Sequence, residues 1–300
     1  MSRQQFLDYL SCKTEHYDFD GKVMMTGGAA PEFEVLWHPI CERPLFHSGY
    51  DVFGVHWSRA KPASHYTQGQ EPILSDIEKW REQVRFPKVE RFDWDYVAEQ
   101  AENLDRENKV SVVTLAIGPF ERTTTLSAFD DALVNAISEP ELYAELINRI
   151  ADYKIEVIEY LHRYGKPDII NLHDDWGTAQ NTFFNPELWR EVIKPATERM
   201  YQAVRAGGSI VGQHSCGHVT PLLDDALAIG MQIWEAQTEA NDIPALKEKY
   251  RGSLRILAPP PAQGDELGES GDEDEDSGPP VEALPKNYQP YSEKPTFLWE

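Results

Sequence analysis

Two residues with the chemistry of a metal site stand close together late in the chain. In Gly208-Ser-Ile-Val-Gly-Gln-His-Ser-Cys-Gly-His-Val219 a short apolar strand runs into a His-x-Cys-Gly turn. Side chains alternate along a strand, so His214 and Cys216 point to the same side. One imidazole and one thiolate at that spacing reach a single thiophilic cation, zinc foremost. Gly217 lets the chain turn sharply beside them. The competing reading is a buried cysteine next to a hydrogen-bonded histidine. The pair alone does not decide between the two, so the elements that position it must.

Those elements alternate. Residues 110–117 read as a buried strand ending at Gly118-Pro119-Phe120, with a helix around 126–137. Ser138 and Pro140 start a long helix that ends near Tyr164-Gly165. The strand 168–172 leads into His173-Asp-Asp-Trp-Gly177, and Asn185-Pro186 caps the next helix, which Pro195 must kink or break. After the His214 strand come a helix at 221–229, a strand at 231–234, a helix at 243–250 and a strand at 254–257. Upstream, 2–11 reads as a helix, 23–25, 35–37 and 50–57 as short strands, and 75–85 and 93–108 as helices. Repeated strand–helix units with short links imply a parallel sheet covered by helices. Polar clusters follow successive strands at 118–122, 173–177, 214–218 and 235–239. A (β/α)8 TIM barrel builds a site at its C-terminal face in this way. No Gly-rich phosphate fingerprint follows any strand, which leaves a doubly wound sheet as the fallback.

Composition narrows the partners. The net charge of −23 argues against nucleic acid and against an anionic membrane surface. No apolar run is long enough for a transmembrane helix, and the first residues lack a signal core. Three scattered cysteines, Cys12, Cys41 and Cys216, form no disulfide framework and fit a reducing cytoplasm. Residues 258–300 hold 11 acids against 2 bases and are rich in proline. The expected division is a barrel domain over 1–257 and an acidic, mostly disordered tail over 258–300.

The segments Gly49-Tyr-Asp-Val-Phe-Gly-Val-His-Trp57, Ala116-Ile-Gly-Pro-Phe120, His173-Asp-Asp-Trp-Gly-Thr178 and Gln213-His-Ser-Cys-Gly-His-Val219 resemble, in order and spacing, the uroporphyrinogen decarboxylase superfamily. Within it they look like the cobalamin- or corrinoid-dependent methyltransferase branch, which includes O-demethylase relatives. The similarity runs over roughly residues 20–257. It implies a (β/α)8 barrel with a deep pocket, in which Zn2+ activates a small methyl acceptor towards a methyl-corrinoid, carried by a corrinoid protein or as free cobalamin. His214 and Cys216 would be the first two zinc ligands. The branch supplies a third, cysteine ligand near the last strand, and here Cys216 is the last cysteine. The proline-rich tail begins where that strand should follow, so the barrel is expected to lack its last βα unit or to close differently.

Glu235, Asp174 and Asp175 are candidates for the missing ligand. If Ile170 and Leu172 face the helices, then Asn171, His173 and Asp175 face the barrel axis, which favours Asp175 and leaves Asp174 to cap a turn. Asp175 and Glu235 are therefore the expected catalytic carboxylates. His56, Trp57, Arg122 and His173 are expected to bind substrate at the pocket mouth, although ordinary packing serves His56 and Trp57 equally, and Arg122 has acidic neighbours to pair with. His218 is a candidate second-layer partner, Cys41 a distant ligand candidate, and Trp176 a packing residue. Two other functions compete with methyl transfer. One is decarboxylation of a tetrapyrrole-like or other carboxylated substrate, with Asp175 as the pocket acid. The other is a non-catalytic truncated barrel.

Overall fold

Six strands of this chain run parallel because the segments between them are amphipathic helices that must bury one face against the sheet. The computed structural model describes residues 2–15, 31–44, 46–59, 66–68, 71–258 and 280–300. The chain opens with α1 (Arg3–Leu10), started by a capping box in which the Ser2 hydroxyl and the Gln5 amide each satisfy the other's backbone N–H. β1 (Phe33–Val35) follows, then a small antiparallel sheet of β2 (Gly49–Tyr50), β3 (His56–Arg59) and β4 (Tyr66–Gln68). Next come α2 (Trp80–Gln83), α3 (Trp94–Asn103), β5 (Val110–Leu115), α4 (Pro119–Leu126), α5 (Phe129–Ser138) and the 25-residue α6 (Pro140–Tyr164). β6 (Ile169–His173), α7 (Pro186–Val192), α8 (Lys194–Ala206) and β7 (Ile210–Ser215) lead to α9 (Leu223–Ala228), β8 (Ile233–Ala236), α10 (Ile243–Lys249) and β9 (Arg255–Leu257).

The main sheet has the order β1-β5-β6-β7-β8-β9, parallel throughout. Each strand lies beside its predecessor in sequence, with none of the order reversal of a doubly wound sheet. The sheet also curls. Phe33 on the first edge strand and Leu257 on the last share one core cluster with Phe6 and Leu10 of α1, together with Val110, Val112, Ile169 and Ile233. Only a sheet wrapped around α1 brings its two edges to the same plug. Fully burying Phe6 and Leu10 contributes about 1.5–3 kcal/mol each. Arg3 pairs with Asp168, and the Arg255 guanidinium donates to the Tyr9 carbonyl at 2.6 and 2.9 Å, which fixes the plug in place.

The fold is therefore α/β and a partial barrel. Among the described residues β1 and β9 do not pair with each other, so the closed eight-stranded barrel is not present there. The strand expected at 23–25 lies outside the described residues. The helix expected around 126–137 is α5, and a further helix, α4, precedes it. α4 starts directly at Pro119, whose fixed φ suits a first helical position. Pro195 does divide its helix, into α7 and α8.

The tail departs from expectation over 280–300. Tyr291 bridges to Tyr50, the Trp299 indole donates to the Val52 carbonyl at 3.0 Å, and Leu298 is buried. The proline-rich composition misled because these residues bury apolar groups on the barrel instead of in a core of their own. Residues 259–279, the rest of that expected tail, lie outside the described residues. Among the described residues no helix is long and apolar enough to cross a membrane.

Candidate metal centre

Strand parity carries the site. Ile169 belongs to the inner cluster around α1, so Asn171 and His173 on the same strand also face inward. In the parallel register His173 lies beside His214, and His214 beside Glu235. Three strand tips thus deliver three inward polar side chains at one level. The His173 and His214 rings stack at 4.3 Å with an interplanar angle of 22°.

Beyond the strand ends the chain completes a cluster. His214 Nε2 lies 3.3 Å from Cys216 Sγ and 3.7 Å from Asp175 Oδ1. The Cys216 backbone N–H donates to Asp175 Oδ1 at 2.6 Å, which aims that carboxylate across the gap between the two strand tips. His173, Asp175 and His214 each offer a ligand atom within 4.8 Å of the others. On the other side of the His214 ring, Nδ1 faces Glu235 Oε2 at 3.8 Å and is buried without a hydrogen-bond partner. Gly217 has φ +83°, and a Cβ there would stand 2.2 Å from the Gly177 carbonyl oxygen. Only glycine lets these two turns approach so closely. Gln237 Oε1 accepts the Gly217 N–H at 2.5 Å.

The charges are arranged in opposition. Burial works against a charge on His173, yet the Glu121 carboxylate at its Nδ1, 3.0 Å away, and Asp175 beyond it lift its pKa to about 9. Burial and the adjacent His173 charge lower His214 to about 3, against the pull of Asp175. His214 is thus a neutral imidazole with a lone pair to offer. Burial raises the Asp175 carboxyl, but His173, His214 and the Cys216 N–H outweigh it and hold it below the ordinary range. Burial and the Asp175 charge push the Cys216 thiol well up. A thiolate at Cys216 therefore needs a cation beside it.

These donors fit zinc. Tetrahedral coordination at zinc's usual bond lengths sets ligand atoms roughly 3.2–3.8 Å apart. Both distances from His214 Nε2 fall in that range, and the unpartnered Nδ1 is turned to a carboxylate, as a ligating histidine requires.

The expected residues divide into two groups. His214, Cys216, Asp175 and His173 come together, with Glu235 behind His214. Asp174 takes the capping role, though for a different element: its oxygens accept the Glu121 and Phe120 N–H groups at the start of α4 and the Trp176 indole N–H. Burial, then the Glu121 charge, raises its pKa to about 7 against those donors. Trp176 is a buried packing residue, and His218 Nδ1 donates to the Ala240 carbonyl at 2.9 Å.

Arg122 and Trp57 are placed otherwise than expected. Arg122 is fully buried, with NH1 on Asp51 Oδ2 at 2.6 Å and NH2 on the Glu42 carbonyl at 3.2 Å, its guanidinium over the Phe53 ring. The Trp57 indole donates to the same Asp51 oxygen at 3.1 Å. Successive helical residues point about 100° apart, so the residue after the inward-facing Glu121 turns away from the pocket, towards Asp51 in the loop between β2 and β3. The His56 ring packs edge-on against Tyr50. Cys41 is buried beside Asp51 and Glu42, where desolvation and those charges raise its thiol strongly.

Glu121, Gln237 and Arg43 escaped the sequence reading. Reading α4 from Pro119 would have put Glu121 in its first turn, beside the His173 tip. Gln237 continues the parity of Glu235. Arg43, whose charge is felt at both His173 and Cys216, sits in an irregular segment with no pattern to betray it.

Comparison with known proteins agrees with this architecture. No curated protein matches the chain. Among solved structures, a methyltransferase from Methanosarcina mazei superposes with a TM-score of 0.55 at 16% sequence identity, over 68% of this chain and 59% of that one. The likeness is one of fold, and the chain spans well under two thirds of that relative. Residues 63–255 match the family model described as Uroporphyrinogen decarboxylase (URO-D). With most of its length so matched, the chain belongs to the URO-D family.

Proposed function

We propose that the chain is a metal-dependent methyltransferase that moves a methyl group between a methyl-corrinoid and a small acceptor, with zinc held by His214, Cys216 and Asp175. The observation that carries this reading is the convergence of Sγ and a carboxylate oxygen on His214 Nε2 at 3.3 and 3.7 Å. When bound there, zinc supplies the positive charge that keeps a thiolate deprotonated at neutral pH without redox side reactions. Glu235 takes the orienting role, because it faces Nδ1 and not the ligand side of the ring. It selects the tautomer that leaves the Nε2 lone pair free. His173, charged and paired with Glu121, balances the negative charge that Asp175 and Cys216 bring to the pocket. The corrinoid partner and the acceptor belong to the same proposal.

The test is metal analysis of the purified full-length protein beside His214→Ala and Cys216→Ala. One zinc per chain is expected in the parent and strong depletion in both variants. Absence of stoichiometric metal in the parent refutes the reading.

A further inference from the structure

One strand layer below the cluster the inner face is still polar. Thr114, Asn171 and Gly212 are neighbours in the parallel register, and their side chains share the parity of His173 and His214. Asn171 is completely buried, its Nδ2 donating to Glu235 Oε2 at 2.9 Å, while its Oδ1 has no partner. Thr114 Oγ1 is likewise buried without a partner. On β5 Thr114 is partly exposed between buried neighbours, while its Oγ1 is itself buried. Gly212 adds no side chain to the layer, and Ile233 beside it is apolar and belongs to the inner cluster around α1. A buried unpaired amide oxygen is costly, which means that something with a hydrogen to donate belongs against it.

The donor's chemistry follows from the atoms around it. Asn171 Oδ1 can only accept, Thr114 Oγ1 can accept, and the adjacent Glu235 side chain is acidic. A group that donates several hydrogens and carries positive charge satisfies all three. Two residues along a strand separate this layer from the His173–His214 layer, roughly 6.6 Å, the reach of a short alkyl chain.

We infer that Thr114, Asn171 and Glu235 form the specificity floor of the pocket and bind the protonated amine of a small aminoalkyl substrate whose reactive atom lies at His214 and Cys216. The inference rests on the metal-centred reading above for the reactive end only. The floor selects by hydrogen bonds and charge, rejecting anionic analogues that would set carboxylate against carboxylate.

Calorimetric titration of the full-length, zinc-loaded protein with cysteamine, 2-mercaptoethanol and 3-mercaptopropionate tests it. Cysteamine is expected to bind about tenfold more tightly than 2-mercaptoethanol, since a hydrogen bond to a charged group is worth about a factor of ten or more, and 3-mercaptopropionate should bind weakest. Thr114→Val, which keeps the side-chain shape, and Asn171→Leu should each remove most of the preference for cysteamine over 2-mercaptoethanol. Circular dichroism confirms that each variant is folded, and Thr114→Val alone decides the matter if Asn171→Leu is not. Equal binding of the three thiols, or preference for the acid, means the floor holds only water and overturns the inference while leaving the metal reading intact. Absence of zinc uptake refutes the metal reading. Ethanolamine on the metal-free protein then decides the floor: binding lost in Thr114→Val sustains it, and no binding overturns it.

Discussion

Acidification should destabilise this protein through His38, a residue outside the metal cluster. Its Nε2 donates to the Thr114 carbonyl at 3.0 Å, and its Nδ1 accepts the Ile40 N–H at 3.3 Å. Both nitrogens are committed to the neutral ring, and a second proton at Nδ1 would face the Ile40 donor. Burial, aided by Lys154 and opposed by the Thr114 carbonyl, lowers its pKa from 6.5 to about 4. The unfolded chain takes up a proton on this histidine near pH 6.5, whereas the folded chain resists until about pH 4. Stability from this source is therefore complete above pH 6.5 and is lost as the pH falls from 6.5 to 4. At 1.36 kcal/mol per unit the loss is about 3 kcal/mol. Carboxylates titrate over part of the same interval, so the assay is a difference. Urea unfolding of the parent and of His38→Gln, which keeps an amide donor for Thr114 but cannot titrate, is compared from pH 7.5 to pH 4.5. The gap between the two should shift by about 2–3 kcal/mol in favour of the variant as the pH falls. A gap that stays constant, or shifts the other way, refutes the argument.

Arg122→Met should destabilise the fold by about 3–5 kcal/mol in denaturant, because Asp51 would keep its charge in the interior without its partner. Leu298→Ala should cost about 2–5 kcal/mol and open residues 280–300 to limited proteolysis, which mass spectrometry of the fragments would locate. Gly217→Ala strains a positive-φ turn and drives a methyl group into Gly177, so zinc affinity measured by chelator competition should drop at least about tenfold with circular dichroism unchanged. Glu235→Gln should lower zinc affinity by about 10–100-fold in the same assay, through the orientation of His214.

Period and punctuation made much of this molecule legible. Alternating strands and helices from residue 110 onward gave the parallel architecture. Strand parity gave the inward set Asn171, His173 and Asp175, because each is two residues from the next on a strand whose apolar members are unambiguous. It also explains why Asp174 and Asp175 separate, one to cap α4 and one to face the cluster. What stayed hidden depended on contacts between distant segments. Arg122 pairs with Asp51 and the Glu42 carbonyl, 71 and 80 residues away, and no local pattern encodes such a choice. The packing of 280–300 was masked by its composition, since proline and acid content speak against a core but not against docking on one. The open question of closure was legible in the position of the proline-rich tail, and among the described residues the two edge strands β1 and β9 do not pair.

The first turn of α4 has a consequence of its own. Glu121 grips His173, while the next residue, Arg122, is anchored to Asp51 in the loop that joins β2 to β3. That loop is in turn held by Trp299 through the Val52 carbonyl. Two adjacent residues on one turn thus link the pocket to the docked end segment, since Trp299 holds Val52, the neighbour of Asp51, and Asp51 holds Arg122 beside the carboxylate that keeps His173 charged.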